Sequence, residues 1–364
     1  MRGAVLGLLT LVACDVAPAR KVAAPDPVPT GIPRPVTVLP APPASAAPGP
    51  ARVVLVTIDG IRWEDALGDG RGPSLMPNLV RIVGDRGTAL GGAGCTYDVR
   101  ASGPNFVSLP GYVEMFTGRA SACTSNGCAS VTTETILDRV RARSDAARDV
   151  AVFASWDTYA RAVARDRALI VLSAGGSKKA IAAGSFGGKD DAKLRLLLEV
   201  GAANTGYPGW GDYRPDVHTT RIALRYLETV MPKVLVVGLG DPDELAHRGD
   251  FAAYRRAMQH ADDFLVDLQQ TLARMGVDGS RTAVLVTTDH GRGHGAKLRS
   301  HGSWIPESQR VFVAAFGHGI AHRGVACPSE PLRLADVAGT MSALLALSRE
   351  TSDGPLAAEL LAER

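Results

Sequence analysis

Three places in this chain set carboxylates and imidazoles directly behind short apolar runs. Val53–Ile58 leads into Asp59-Gly60, Val234–Gly238 runs on to Gly240-Asp241-Pro242-Asp243, and Ala283–Thr287 is followed by Thr288-Asp289-His290-Gly291. Such groups are costly to bury unpaired, and one shared metal site accounts for all three at once. Asp243 and His247 stand at i and i+4, so they share a face if the segment turns helical. Ser108 lies in Asn105-Phe106-Val107-Ser108-Leu109-Pro110-Gly111-Tyr112, just ahead of the apolar stretch 111–117. That position marks the start of a helix, where free N–H groups and the helix dipole favour a bound anion. A plain N-cap serine is the simpler reading, and the two are compatible.

Read in chain order, four segments go together. They are Thr57-Ile58-Asp59-Gly60; Asn105 to Tyr112, closing with Phe116-Thr117-Gly118-Arg119; Asp241-Pro242-Asp243-Glu244-Leu245-Ala246-His247; and Thr288-Asp289-His290-Gly291 with Ser300-His301-Gly302. In this order they resemble the alkaline phosphatase superfamily, which includes nucleotide pyrophosphatases, sulfatases and the cofactor-independent phosphoglycerate mutases. The similarity runs from residue 52 to about 316. Each motif alone is weak, and the ordered set of seven ligand-type residues carries the resemblance.

The resemblance implies two divalent metal ions. Asp243, His247 and His301 match the ligands of one; Asp59, Asp289 and His290 match those of the other, with Ser108 bound beside them. Mixed imidazole and carboxylate ligands suit zinc, or manganese where oxygens dominate, and magnesium less well. Two ions roughly 4 Å apart clamp the attacking and leaving oxygens of an in-line displacement. A coordinated Ser108 hydroxyl loses its proton without a histidine base and becomes the nucleophile, giving a phosphoserine that water hydrolyses. In nucleotide pyrophosphatases an asparagine about twenty residues after the nucleophile donates to the transition-state oxygens. Asn126, between Cys123 and Cys128, is the candidate here and Asn105 a second one, each set against an ordinary turn asparagine.

Some segments depart from the pattern. Sulfatases place an arginine two residues after the proline of their nucleophile motif, whereas Ser108-Leu109-Pro110-Gly111 is followed by Tyr112, which argues against a sulfatase. Asp241 matches a position that is not a standard ligand and is expected beside the ligand set. His294 is expected at the surface. Gly184 to Asp190 lacks the glycine spacing of a phosphate loop and reads as a plain loop. Ser155-Trp156-Asp157 resembles a segment of bacterial phosphoglycerate-mutase-like metalloenzymes.

An alternation of elements must position these residues. Apolar, β-branched runs at 53–58, 150–154, 169–172, 234–238, 283–287 and 311–315 suit central strands of a parallel sheet. Amphipathic stretches at 132–143, 157–166, 190–201, 217–231, 251–275 and 334–347 suit helices. The pattern predicts an α/β fold with a mainly parallel doubly wound sheet and helices on both faces, and the resemblance implies that it is alkaline-phosphatase-like. Functional groups in such folds gather beyond the carboxyl ends of the strands. The leading function is hydrolysis of phosphate mono- or diesters. The alternatives are a mutase-type phosphoryl transfer and a catalytically inert lipoprotein that binds phosphorylated ligands. A mutase of this kind carries a large inserted domain, for which the stretch between Ser108 and Asp241 is short.

Among 364 residues, 40 Lys and Arg are interleaved with 37 Asp and Glu, which leaves no basic stripe and argues against a nucleic-acid partner. Residues 1–14 read as a lipoprotein signal peptide. Arg2 precedes an apolar run ending Leu11-Val12-Ala13-Cys14, which resembles the bacterial lipobox. Ordinary cleavage after Ala13 is the plainer alternative. Residues 15–50 hold nearly half of the chain's 23 prolines and read as an extended tether, leaving 51–364 as one catalytic domain. The expected location is the bacterial cell envelope, lipid-anchored through Cys14, with the domain outside the cytoplasm. Cys95, Cys123, Cys128 and Cys327 remain, an even number for an oxidising compartment. A local Cys123–Cys128 bridge would leave Cys95 to pair with Cys327, although three connectivities, or four free thiols, are open. Cys14→Ser is expected to release the protein from membranes or stall its processing, read by fractionation; a soluble wild-type chain with another N-terminus would overturn the lipobox.

Overall fold

The structure, a computed structural model, describes residues 52–176, 191–203, 212–348 and 357–362. The signal-peptide and tether assignments and the Gly184–Asp190 loop lie outside the described residues. The first strand shows why a sheet forms here. In β1 (Arg52–Ile58) every residue after Arg52 is buried; Val54, Val56 and Ile58 face one side, Val53 and Leu55 the other. A strand apolar on both faces is stable only when helices cover both. β4 (Val150–Ala154), β6 (Val234–Leu239) and β7 (Thr282–Thr287) are buried in the same way.

The remaining strands are β2 (Gly87–Leu90), β3 (Val99–Arg100), β5 (Val171–Ala174), β8 (Arg310–Val311), β9 (Val313–Gly317), β10 (Gly324–Ala326) and β11 (Leu332–Arg333). Eight strands make one sheet in the order β10-β2-β9-β7-β1-β6-β4-β5, and a small sheet joins β11, β3 and β8. β7, β1, β6, β4 and β5 run parallel, and β9 runs antiparallel to both β7 and β2. The expected mainly parallel α/β sheet is therefore present, with one reversed strand. Gly87 permits that reversed pairing, because a Cβ there would collide with the carbonyl of Ala315.

The helices are α1 (Trp63–Leu67), α2 (Pro77–Arg86), α3 (Ser108–Thr117), α4 (Ile136–Ala142), α5 (Ala192–Ala203), α6 (Asp216–Val230), α7 (Asp241–His247), α8 (Phe251–Arg274), α9 (Val277–Ser280) and α10 (Asp336–Leu344). Residues of α2, α6 and α8 join the core on one face of the sheet, and residues of α3, α4 and α10 join it on the other. None of the helices among the described residues is long and apolar enough to cross a membrane.

Three expected elements differ. The stretch 157–166 makes only a 3₁₀ turn, Asp157–Arg161; β5 starts at Val171, because Arg167–Leu169 forms another such turn. The run 311–315 divides at Phe312, its first residues serving the small sheet and the rest the large one. α2 and β2 were not legible as separate periodic runs, since α2 is ten residues and β2 four.

A buried carboxylate joins the layers on one face. Met76 at the N-cap of α2 offers no side-chain acceptor; Asp262, from the middle of α8, accepts from the N–H groups of Asn78 (2.9 Å) and Leu79 (2.8 Å). It thus caps a helix remote in sequence. Asp262→Ala is expected to cost about 1–3 kcal/mol, read as a fall of several degrees in Tm; an unchanged Tm would show that water replaces the carboxylate without loss.

Candidate active site

Asp59, Asp243, Asp289 and His290 all lie just past the carboxyl ends of β1, β6 and β7, which are neighbours at the centre of the sheet. Ser108 is the first residue of α3, and Val107, not Ser108, occupies the N-cap. Ser108 therefore makes no cap with its own helix. Its Oγ lies 3.4 Å from Asp59 Oδ1 and 3.4 Å from His290 Nε2, and the side chain is buried. α3 comes this close because Gly111, one turn on, lies where a Cβ would collide with the backbone of Asp289. Tyr112, four residues after Ser108 on the same helix face, donates its hydroxyl to Asp59 Oδ2.

The imidazoles are oriented by the backbone. His290 Nδ1 lies 2.9 Å from the carbonyl of Gly291, and His301 Nδ1 lies 2.8 Å from that of Phe106. With Nδ1–H donating to a carbonyl, each ring turns a free Nε2 inward, the arrangement that metal-ligating histidines adopt. His247 Nε2 is 2.9 Å from His301 Nε2 and 3.2 Å from Asp243 Oδ2. His290 Nε2 is 3.5 Å from both Asp59 Oδ1 and Asp289 Oδ2.

Burial acts on every one of these groups. It drives Asp59 well above the usual carboxylate range, reinforced by the charges of Asp289 and Asp243, and lifts Asp289 to about 7. It pushes His290 down to about 4 and His301 down to about 3, which keeps both rings neutral. Asp243 behaves oppositely: burial raises it, but the Arg292 guanidinium and His247 hold it well below the usual range.

Arg292 was not singled out by sequence. Its side chain is fully buried and donates to the carbonyls of Gly60 and Leu298 (2.7 Å) and to Asp243 Oδ1. One guanidinium thus ties the end of β1 to α7 and to the loop that leads to His301. Gly60 adopts φ +59°, and a Cβ there would collide with Asp243 Oδ1. The position of Arg292 two residues after His290, the end of the metal-type motif, was the one available signal.

The residues present fit divalent ions. Asp243, His247 and His301 offer donor atoms within 4.8 Å of one another, and so do Asp59, Asp243 and His290. Asp243 belongs to both groups, whereas the sequence assigns it to one. Asp289 supplies the remaining donor beside His290, and its buried Oδ2 has no hydrogen-bond partner. Three buried carboxylates with inward-facing imidazoles form a donor set for a hard or borderline cation.

The other candidates separate. Asn126 accepts the N–H of Leu109 (2.9 Å) through Oδ1 and lines a cavity of about 290 Å³ with Asp59, Ser108 and His301. Asn105 does not reach that cavity. Its amide donates to the carbonyl of Thr124 (2.8 Å) and accepts from the N–H of Ser303 (2.9 Å), so it ties two loops instead of facing substrate. Asp241 is spent on structure. Its Oδ2 accepts from the N–H of Asp216 (3.2 Å), while Asp216 accepts from the N–H groups of Asp241 (3.0 Å) and Gly240 (2.8 Å). The two aspartates thus cap each other's helices. His294 is half-exposed beside Glu64 at 3.1 Å. Disulfides join Cys95 to Cys327 and Cys123 to Cys128, and the second encloses Asn126.

Two metals per chain is the composition expected of this donor set. Protein from residue 51 onward should carry about two divalent ions by mass spectrometry, and His247→Ala about one. A His247→Ala chain holding the wild-type complement would remove that histidine from the ligand set.

No protein-family model matches the sequence, and no curated protein does. The fold has clear counterparts among solved structures. The 2-O GAG sulfatase BT1596 aligns with a TM-score of 0.58 at 13% identity, covering 85% of this chain and 74% of its own. Wild-type alkaline phosphatase PafA aligns at 0.57 and 12%, covering 87% and 100%. The lipoteichoic acid synthase LtaP from Listeria monocytogenes aligns at 0.56 and 13%, covering 85% and 76%. All three are members of the alkaline phosphatase superfamily, and this chain has the fold of that superfamily.

Proposed function

We propose that this chain is a metal-dependent hydrolase of phosphate esters, diesters foremost, acting through a phosphoserine on Ser108. The observation that carries the reading is the placement of Ser108 Oγ, 3.4 Å from both Asp59 and His290 at the N-terminus of a ten-residue helix. Asp59, Asp289 and His290 would hold one ion beside Ser108, and Asp243, His247 and His301 the other. Bound there, zinc or manganese would supply Lewis-acid charge that lowers the serine pKa and neutralises phosphoryl oxygens.

The chain's own groups do the rest. The α3 N-terminus directs its dipole at the phosphoryl group. Tyr112 fixes one oxygen of Asp59 and leaves the other towards Ser108. Asn126, held through its carbonyl oxygen, is left with its amide N–H₂ to donate to a non-bridging oxygen. Ser108 Oγ takes the phosphoryl group as the alcohol departs, and water then releases it.

One feature favours a phosphodiester over a monoester, and a second argues against a sulfate ester. The cavity lining contains no lysine or arginine among the described residues, so the second charge of a monoester dianion meets no side-chain cation. Tyr112 stands where the sulfatase motif has arginine. The cystine bridges accord with an oxidising compartment and with the envelope location proposed for a Cys14-anchored protein.

Ser108→Ala is expected to lower kcat/KM for a bis-p-nitrophenyl phosphate by on the order of 10²- to 10⁴-fold with metal content retained. Ser108→Thr should keep measurable activity, and acid quenching should trap phosphate on Ser108. A wild-type rate in Ser108→Ala would remove the nucleophile assignment. Faster turnover of p-nitrophenyl sulfate than of any phosphate ester would favour a sulfatase, the activity named for several structures of this fold.

A further inference from the structure

One wall of the cavity beside Ser108 has no part in the hydrolysis as described. Trp156, Tyr213 and Glu244 form it. Trp156 follows β4 and pairs as an isolated antiparallel bridge with Tyr213, which fixes the two aromatic residues side by side. Glu244 comes from α7, where Asp241, Glu244 and His247 succeed one another at three-residue spacing and share a stripe. Asp241 accepts from the Tyr213 hydroxyl (2.8 Å), and His247 faces His301. Glu244 is thereby set between the tyrosine and the Asp243–His247–His301 group.

The chemistry of this wall is specific. Glu244 is only 8% exposed, its Oε2 is buried, and neither of its carboxylate oxygens accepts a hydrogen bond among the described residues. Nearby Asp216, Asp241 and Asp243 all have such partners. Its acidic neighbours Asp241 and Asp243 have the same sign, and no lysine or arginine lines the cavity among the described residues. The Tyr213 hydroxyl is already spent on Asp241, so that residue offers its ring and not a donor. A buried carboxylate that accepts no hydrogen bond, flanked by tryptophan and tyrosine, attracts an organic cation through charge and through the ring quadrupoles. A primary ammonium asks for three acceptors, and a single carboxylate does not meet that need; a quaternary ammonium asks for none.

We propose that Trp156, Tyr213 and Glu244 form a subsite for a quaternary alkylammonium group on one ester arm of the substrate. The inference rests on the phosphodiesterase reading and narrows its substrate class to diesters of choline-type alcohols. The reaction is unchanged: water splits one P–O ester bond to give an alcohol and a phosphomonoester.

The test uses the metal-loaded protein and two diesters that differ in one atom. Choline p-nitrophenyl phosphate carries a positive nitrogen where 3,3-dimethylbutyl p-nitrophenyl phosphate carries a neutral carbon. The wild type should favour the choline ester in kcat/KM by on the order of tenfold, and free choline should inhibit competitively. Glu244→Gln and Trp156→Leu should each bring that ratio towards unity, with metal content measured to show that Asp243 and His247 still bind. An ethanolamine p-nitrophenyl phosphate should fall below the choline ester, and parity would overturn the quaternary preference. Hydrolysis of the choline ester and its isostere at equal rates would overturn the subsite while leaving the Ser108 chemistry standing. Failure of the metal-loaded protein on every ester would instead overturn the hydrolytic reading.

Discussion

Three carboxylates, Asp59, Asp243 and Asp289, are buried together at one end of the sheet, and the rest of the site is arranged around that repulsion. Like charges at such range raise one another's proton affinity and oppose folding unless cations compensate. Only part of the compensation comes from protein. Arg292 answers Asp243, the Gly60 N–H donates to Asp289 Oδ1 (3.0 Å), and Tyr112 donates to Asp59. The unpartnered oxygen of Asp289 and the inward Nε2 atoms of His290 and His301 are what remains for metal. Divalent ions held there would offset the charge that the fold concentrates.

The scaffold makes that concentration possible because β1, β6 and β7 are adjacent and parallel, so their carboxyl ends open on the same side. Close approach is then a matter of missing atoms. Gly60 leaves room for Asp243, and Gly111 lets α3 lie against Asp289, which delivers Ser108 to the same point. The mutual capping of Asp216 and Asp241 fixes the start of α7, and with it the direction in which Asp243, Glu244 and His247 project. A carboxylate outside the candidate ligand set is thus as necessary to the geometry as those within it.

Much of this was legible in one dimension. Runs apolar on both faces announce central parallel strands, because burial on two sides leaves no polar alternation, and Asp or His at their ends marks where the fold gathers chemistry. The seven ligand-type residues were found this way and through their order, and the structure brings them together. Asn126 reaches the cavity as well, since the short Cys123–Cys128 loop keeps it close to the start of α3. Asn105 did not, because an asparagine satisfied by two backbone partners looks the same in sequence as one left free.

What sequence could not supply is whatever depends on contacts between segments far apart. Arg292 reads as one more arginine until the fold buries it against Gly60 and Asp243, 232 and 49 positions away. The reversed strand β9, the remote cap from Asp262 to α2, and the wall of Trp156, Tyr213 and Glu244 have no local periodicity to betray them. Local pattern records how each segment hides its own apolar surface, and that determined the strands, most helices and the ligand types. Which side chains meet across elements is set by packing, and tertiary structure alone decided it.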